Sequence, residues 1–133
     1  MSLIVDIALN QIKNGIRSHA KENGIPEADL YLMIYPKDEE LTPGFKICNR
    51  VKPIREVTFG GLVRMSSIMG FNIEKEGELW VHKFLVKSAS DNEIEHDNHF
   101  YFIRIRNNEL QAYLYLNNMP KEEIELNYIL QTE

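Results

Sequence analysis

The stretch HFYFIRIRNNELQAYLYL, residues 99–116, decides the fold because it has the pattern of a β-hairpin. Its centre is the pair Asn107-Asn108, and asparagine tolerates the positive φ angles that a two-residue type I′ turn requires. Counting outward from this turn places Phe102 opposite Tyr113. A shift of one residue would move every side chain to the other face of the sheet, so the pattern specifies the register.

Both faces of the predicted hairpin are apolar. His99, Tyr101 and Ile103 share one face, which we interpret as the face toward the core. The opposite face carries four aromatic residues and two arginines: Phe100, Phe102, Arg104, Arg106, Tyr113 and Tyr115. Soluble monomers rarely expose apolar patches larger than a few hundred Å². We therefore expect this second face to be covered by the chain's own segment 45–69, by a second copy of the chain, or by a ligand or partner.

The residues at the start of the chain predict one long helix and a strand. Residues 3–23 repeat apolar side chains with the period of an amphipathic helix, and Gly24 can end that helix in a left-handed conformation. Residues 30–35 are aromatic, β-branched or otherwise apolar on both faces, which predicts a buried strand ended by Pro36. A polar loop follows over residues 37–44.

The middle of the chain is harder to interpret. Residues 45–57 predict one or two short strands, because Pro53 interrupts the pattern. Thr58 can then cap a second helix, which we expect to end at Gly70.

Two further segments have the period of two that is typical of strands. In residues 79–87 this alternation puts Trp80 and Phe84 on one side, where we expect them to join the second face of the hairpin. Residues 124–130 alternate in the same way. The predicted fold class is α+β: an N-terminal helix packed on a mostly antiparallel sheet of about five strands, with a short middle helix.

The composition is that of one soluble domain spanning residues 1–133. The chain is 44% apolar and 26% charged, and it contains neither an apolar run long enough for a membrane span nor the pattern of a signal peptide. The one cysteine, Cys48, cannot form an internal disulfide. We therefore expect a cytoplasmic protein without contact to a membrane.

The charge distribution points to one basic segment. The net charge of −5 disfavours a nucleic-acid partner, but residues 45–64 are locally basic. Backbone N–H groups at a glycine-rich helix start can bind anions together with nearby arginines, while glycines there can also serve close packing alone. The candidate anion-binding residues are Arg50, Lys52, Arg55, Gly60, Gly61 and Arg64.

Acidic and histidine residues precede the hairpin, but they do not have the spacing of a metal site. His96 and His99 are three residues apart at the entrance of a strand, where their side chains diverge. We therefore predict no metal and no cofactor. A pocket between sheet and helices could instead use His82, His99 and Tyr101 as its polar groups, and this is the enzymatic or small-molecule-binding alternative.

The sequence thus predicts a non-enzymatic binding or adaptor domain. It would act through the aromatic second face or through the basic segment 45–64, on a protein partner or on a second copy of itself as a homodimer. Two alternatives remain: the small enzyme or ligand pocket, and a single-stranded nucleic-acid binder that stacks bases on the aromatic residues. A deep pocket in which His82, His99 and Tyr101 converge would favour the enzyme or ligand pocket. An affinity for nucleic acid that falls steeply with salt concentration would favour the nucleic-acid binder.

Overall fold

The computed structural model describes residues 3–65, 67–68, 70–91, 99–116 and 119–124. Within these residues, three α-helices accompany a six-stranded antiparallel sheet and a separate two-stranded one. The α+β class, the N-terminal helix, the antiparallel sheet and the short middle helix are confirmed. The main sheet has six strands, close to the five or so that were predicted, and the third helix was not predicted.

The elements follow one another in a simple order. They are α1 (Leu3–Asn23), a 3-10 turn (Glu27–Asp29), β1 (Leu30–Pro36), β2 (Pro43–Asn49), β3 (Lys52–Val57), α2 (Phe59–Val63), β4 (Ser67–Ile68), β5 (Phe71–Asn72), α3 (Ile73–Asp91), β6 (His99–Arg106), β7 (Glu109–Leu116) and β8 (Met119–Ile124).

The main sheet joins two three-stranded meanders. Its strand order is β3-β2-β1-β6-β7-β8, and every neighbouring pair is antiparallel. The first strand of each meander, β1 or β6, lies at the centre of the sheet. Strands β4 and β5 pair only with each other.

The β6–β7 hairpin has the predicted register. Asn107 and Asn108 have φ angles of 53° and 64°, as a type I′ turn requires. The cross-strand pairs are His99–Leu116, Phe100–Tyr115, Tyr101–Leu114, Phe102–Tyr113, Ile103–Ala112, Arg104–Gln111, Ile105–Leu110 and Arg106–Glu109. The predictions of α1, of its end at a left-handed Gly24 and of a strand ending at Pro36 are also confirmed.

The middle helix is shorter than predicted. The Thr58 hydroxyl accepts a hydrogen bond from the Gly61 N–H at 2.9 Å, so Thr58 is the N-cap as expected. The helix ends at Val63 rather than at Gly70, because Arg64 adopts a left-handed conformation and its N–H bonds the Gly60 carbonyl. Before this helix, the segment 45–57 forms β2 and β3 as two separate strands.

Residues 79–87 were predicted as a strand, and this prediction is wrong: they belong to α3. The buried positions of this helix follow a helical period and are Gly77, Val81, Phe84, Leu85 and Ser88. Because Gly77 is small and Ser88 is polar, the helical period of these positions could not be recognised from apolar residues alone. Of the strand predicted over residues 124–130, Ile124 ends β8 and the rest lies outside the described residues.

The main core lies between the helices and one face of the sheet. It includes Ile12, Ile16, Ala20, Leu30, Leu32, Ile34, Phe45, Ile47, Phe59, Leu62, Val81, Phe84, Leu85, Tyr101, Ile103, Ile105, Ala112 and Leu114. The helices approach closely: a Cβ at Gly15 would lie 2.4 Å from the Leu62 carbonyl oxygen. None of the helices in the described ranges combines the length and apolarity needed to span a bilayer.

Candidate functional site

The side of the sheet opposite the helices carries a cluster of aromatic residues around one arginine. We call it the aromatic face, and its members on β1, β6 and β7 are Tyr31, Phe100, Phe102, Arg104, Tyr113 and Tyr115. Side chains alternate along a strand, so Phe102 points away from the helices while its neighbour Ile103 packs in the helix-covered core. Among the residues that the structure describes, no helix covers the aromatic face.

Phe102 is the centre of this cluster. Its ring centroid lies 5.5 Å from that of Tyr31, 4.9 Å from that of Tyr115 and 5.4 Å from that of Phe100, each in an edge-on arrangement. Phe100 and Tyr115, a cross-strand pair, stack with their planes 14° apart. Phe102 is only 2% exposed, whereas its ring neighbours are half-buried. The rings therefore bury one another and leave their outer surfaces toward solvent.

Arg104 is held between two tyrosines of the aromatic face. Its Nη1 donates to the Tyr31 hydroxyl at 2.9 Å and its Nη2 donates to the Tyr113 hydroxyl. The guanidinium carbon lies 4.6 Å from the ring centroid of Tyr113, within the range of a cation–π interaction. The Tyr113 hydroxyl in turn donates to Gln111 Oε1 at 3.0 Å. Burial alone lowers the pKa of Arg104, but the two tyrosines outweigh it and raise that pKa.

Polar contacts extend across the same side of the sheet toward β3. Lys46 Nζ lies 4.9 Å from the ring centroid of Tyr35, and the Tyr35 hydroxyl donates to Glu56 Oε1 at 2.8 Å. Burial and this carboxylate raise the pKa of Tyr35 to about 12.

Cys48 is a buried free thiol on β2, and burial raises its pKa to about 11.

The structure brings together five of the eight residues predicted for this face. Arg106 lies at the exposed end of the hairpin opposite Glu109. Trp80 and Phe84 are elsewhere, because α3 is a helix on the other side of the sheet: Phe84 packs on Tyr101 with centroids 4.7 Å apart, and Trp80 is half-buried against the core.

Sequence reasoning missed Tyr31, which belongs to this face. The sequence did contain an indication of this position, since residues 30–35 were interpreted as a strand that is apolar on both faces and Tyr31 lies on one of these faces. The expectation that segment 45–69 covers the face is wrong for the described part of that segment. Its strands β2 and β3 widen the sheet, and α2 packs among the other helices, as the contact between Gly15 and Leu62 demonstrates.

The predicted anion-binding residues divide into two groups. Arg50 Nε pairs with Asp29 Oδ1 at 3.3 Å, and Lys52 is exposed on the edge strand. Arg55 and Arg64 instead converge, together with the Gly61 carbonyl, on His19. The N–H of Gly61 is already bound by Thr58, and Gly60 lines a cleft of about 540 Å³ with Arg64, Met65, Asn72 and Glu74.

His19 is a buried histidine of α1 that sequence reasoning did not single out. Its Nε2 lies 3.2 Å from the Gly61 carbonyl oxygen, to which it donates, so its Nδ1 is the acceptor. Arg55 Nη2 lies 2.5 Å and Arg64 Nη2 3.4 Å from that Nδ1. Burial lowers the pKa of His19, and the charges of the two arginines lower it further against the opposing effect of the Gly61 hydrogen bond. His19 lies beside Ile16 and Ala20 on the apolar side of α1, and this position in the sequence could have indicated that it is buried.

Of the three residues of the predicted pocket, His99 and Tyr101 contact each other, whereas the ring nitrogen of His82 binds a loop carbonyl. His82 Nδ1 donates to the Leu41 carbonyl at 3.0 Å. Tyr101 is fully buried, shares a hydrogen bond with Ser88, and meets His99 edge-on with centroids 5.5 Å apart. A cleft of about 270 Å³ is lined by Tyr35, Lys37, Pro43, Gly44, Phe45, Glu56, Val57, Thr58 and Glu78. Neither this cleft nor the one beside Arg64 is lined by His82, His99 or Tyr101.

The prediction about the metal lies mostly outside the described residues, since His96 falls in the segment 92–98. Within the described ranges, no three His, Cys, Asp or Glu side chains cluster as metal ligands would. Comparison of the chain with protein-family models, curated proteins and solved structures finds no match.

Proposed function

We propose that this protein is a binding or adaptor domain that recognises another polypeptide through the aromatic face. The observation that carries the proposal is the position of this aromatic cluster on the sheet side that no described helix covers. Tyrosine, phenylalanine and arginine are enriched at protein interfaces, and tyrosine and arginine often dominate their binding energy. Partly exposed rings that are already packed against one another would also lose little entropy on binding.

Neither of the two clefts described above lies on the aromatic face, which supports a polypeptide rather than a small molecule as its ligand. Small-molecule sites are concave and enclose most of their ligand, whereas the two clefts described above are lined by residues outside the aromatic cluster. Single-stranded nucleic acid is disfavoured by charge. On this side of the sheet Arg106 lies opposite Glu109 and Lys46 lies opposite Glu56, so acids accompany these cations. The chain as a whole carries a net charge of −5.

We further propose that the protein acts in the cytoplasm. Cys48 is a buried free thiol whose raised pKa keeps it protonated and poorly reactive. A fold that uses its one cysteine in this way suits a reducing compartment.

Selection from a displayed peptide library tests the proposed binding function. Peptides selected on the unmodified protein are measured against a face variant, Phe100→Ser/Tyr115→Ser, whose two residues are half-buried. The matched control is Leu79→Ser/Val86→Ser, which removes two exposed apolar side chains from α3. We expect at least about a tenfold loss of affinity in the face variant and less than about a twofold change in the control.

Two results would overturn the proposal: selected peptides that bind the face variant undiminished, or a selection that enriches no peptide. Circular dichroism of each variant establishes that it is folded. Titration with single-stranded RNA at several salt concentrations tests the competing ligand, and tight binding whose affinity falls steeply with salt would replace the proposal with nucleic-acid recognition.

A further inference from the structure

We propose that His19 is a pH-sensitive switch. With a neutral ring it holds β3 and the end of α2 against α1, and with a protonated ring it releases Arg55 and Arg64. The switch lies on the helix side of the sheet, since Arg55 is the cross-strand partner of the core residue Ile47. The inference therefore does not depend on the aromatic face or on what binds there.

The ring of His19 contacts three parts of the fold. It belongs to α1 and is only 3% exposed. Its Nε2 donates to the Gly61 carbonyl of α2 at 3.2 Å. Its Nδ1 accepts from Arg55 of β3 at 2.5 Å and from Arg64, the residue that follows α2, at 3.4 Å. One imidazole thus joins two helices to the edge strand of the sheet.

Protonation of this ring is incompatible with half of these contacts. A neutral imidazole has one donor and one acceptor nitrogen, whereas both nitrogens of a protonated ring are donors. A guanidinium has only donors and keeps its proton. In the protonated state the Nδ1–H would therefore face the N–H groups of Arg55 and Arg64, and three positive charges would meet. The hydrogen bond to Gly61 needs no change, so the contacts with the two arginines are the ones that a proton breaks.

The acids near the switch leave Arg55 without a partner. Glu22, on the next turn of α1, has a half-exposed side chain and already pairs with Arg64. Glu74 lines the cleft that includes Arg64. Among the described residues, no carboxylate forms an ion pair with His19 or with Arg55. Arg64 can thus remain with Glu22 when the ring is charged, whereas Arg55 loses its acceptor.

The direction of the switch follows from the surroundings of His19. Burial lowers its pKa, and the charges of Arg64 and Arg55 lower it further against the opposing hydrogen bond to Gly61. The neutral ring therefore persists to a lower pH than in an exposed histidine. The contacts are present at neutral pH and are lost as the medium becomes acidic.

The released elements differ in how firmly they are otherwise held. β3 is an edge strand of the main sheet, and none of its residues is buried. The short helix α2 buries Phe59, Leu62 and Val63. Segments with few buried apolar contacts open locally at a low cost in free energy. We therefore expect β3 to respond to the protonation of His19 more strongly than α2.

Hydrogen exchange measured by NMR on the full chain tests the switch. Protection factors, which correct for the effect of pH on intrinsic exchange, are compared at about pH 7.5 and about pH 5. We expect the protection of the β3 amides that bond to β2 to fall at least about threefold more than that of the β6–β7 hairpin. The Leu62 N–H, which bonds the Thr58 carbonyl at 2.8 Å, reports on α2 and should change less than β3.

Three variants identify the groups responsible. His19→Gln keeps a donor for Gly61 but cannot titrate, so it should abolish the selective loss of protection in β3. Arg55→Gln removes one of the two cations, so it should raise the pKa of His19, measured from the imidazole chemical shifts. Arg50→Gln is the matched control, because Arg50 pairs with Asp29 rather than with His19, and it should change neither result.

Each outcome decides the inference. A loss of protection that is largest in β3 and disappears in His19→Gln supports the switch. Equal losses in all strands, a loss that persists in His19→Gln, or no loss at about pH 5 would overturn it. An unchanged pKa of His19 in Arg55→Gln would overturn it as well, and this measurement remains decisive if His19→Gln does not fold.

Discussion

Each face of the sheet contains a fully buried residue, but the two residues are buried by different means. Ile103 and Phe102 are neighbours on β6 with exposures of 1% and 2%. Ile103 lies beneath helices, whereas Phe102 is enclosed by the rings of its own strand and the adjacent strands. A buried residue therefore need not lie between two layers, because large side chains on a sheet can enclose their centre and still present an outer surface.

The largest effect should come from the helix-covered face. Phe84→Ala removes a side chain that is 1% exposed and packs on Tyr101, which should lower the free energy of unfolding by about 3–5 kcal/mol. Leu79→Ala on the same helix, at 48% exposure, should cost less than about 1 kcal/mol. Urea denaturation measures both, and similar costs for the two would contradict the assignment of the buried face of α3.

Phe102→Ala tests the aromatic face. We expect a loss of about 3 kcal/mol, at the low end for a buried phenylalanine, since the surrounding rings can partly collapse into the space. The half-buried Phe100→Ala should cost less. The loss should not depend on protein concentration, as measured by thermal unfolding over a range of dilutions. A concentration-dependent loss would mean that a second copy covers the face.

The pH dependence of stability should reveal His19. Its pKa is lowered below 6.5 in the folded protein, so the unfolded chain binds a proton more readily. The stabilisation is fully present above the unfolded pKa and is lost as the pH falls from there toward the folded value. Denaturation at about pH 7.5 and about pH 5.5 should give a smaller decrease for His19→Gln than for the unmodified protein, and equal decreases would refute this role.

The smallest effect should come from an exposed ion pair. Arg50→Gln removes the pair with Asp29, and the arginine side chain is 70% exposed. We expect a loss of less than about 1 kcal/mol that shrinks further in high salt. A loss comparable to that of Phe102→Ala, measured in the same denaturation series, would show that this pair is more than a solvated surface contact.

The hairpin could be predicted because local chemistry and long-range packing agree there. Asn107 and Asn108 adopt the positive φ angles of the turn, and the alternation of side chains along β6 and β7 determines which residues share a face. Prediction failed in α3, where LWVHKFLVK satisfies both a period of two and a helical period. Asn72 is the residue from which the start of this helix could have been predicted. Its side chain accepts from the Lys75 N–H at 3.0 Å, as an N-cap does, and Glu74 and Glu76 favour a first helical turn.

The candidate site was only partly predictable for a related reason. The members that lie on one hairpin follow from counting residues, but Tyr31 joins them through the pairing of β1 with β6, which no local pattern specifies. The grouping of Arg55 and Arg64 around His19 likewise depends on the packing of α1 against α2 and β3. Neither association is encoded within one segment of the chain.

The junction between the two meanders also bears on how fast the protein folds. Within each meander, neighbouring strands are at most six residues apart in the sequence, so their pairing closes only small loops. Strands β1 and β6 pair over Leu32–Ile103, Met33–Phe102 and Ile34–Tyr101, and this contact must close a loop of about half of the chain. Such closure has an entropic cost that slows folding. We expect Ile34→Val to slow refolding in stopped-flow measurements, while Leu110→Ala in the hairpin mainly accelerates unfolding.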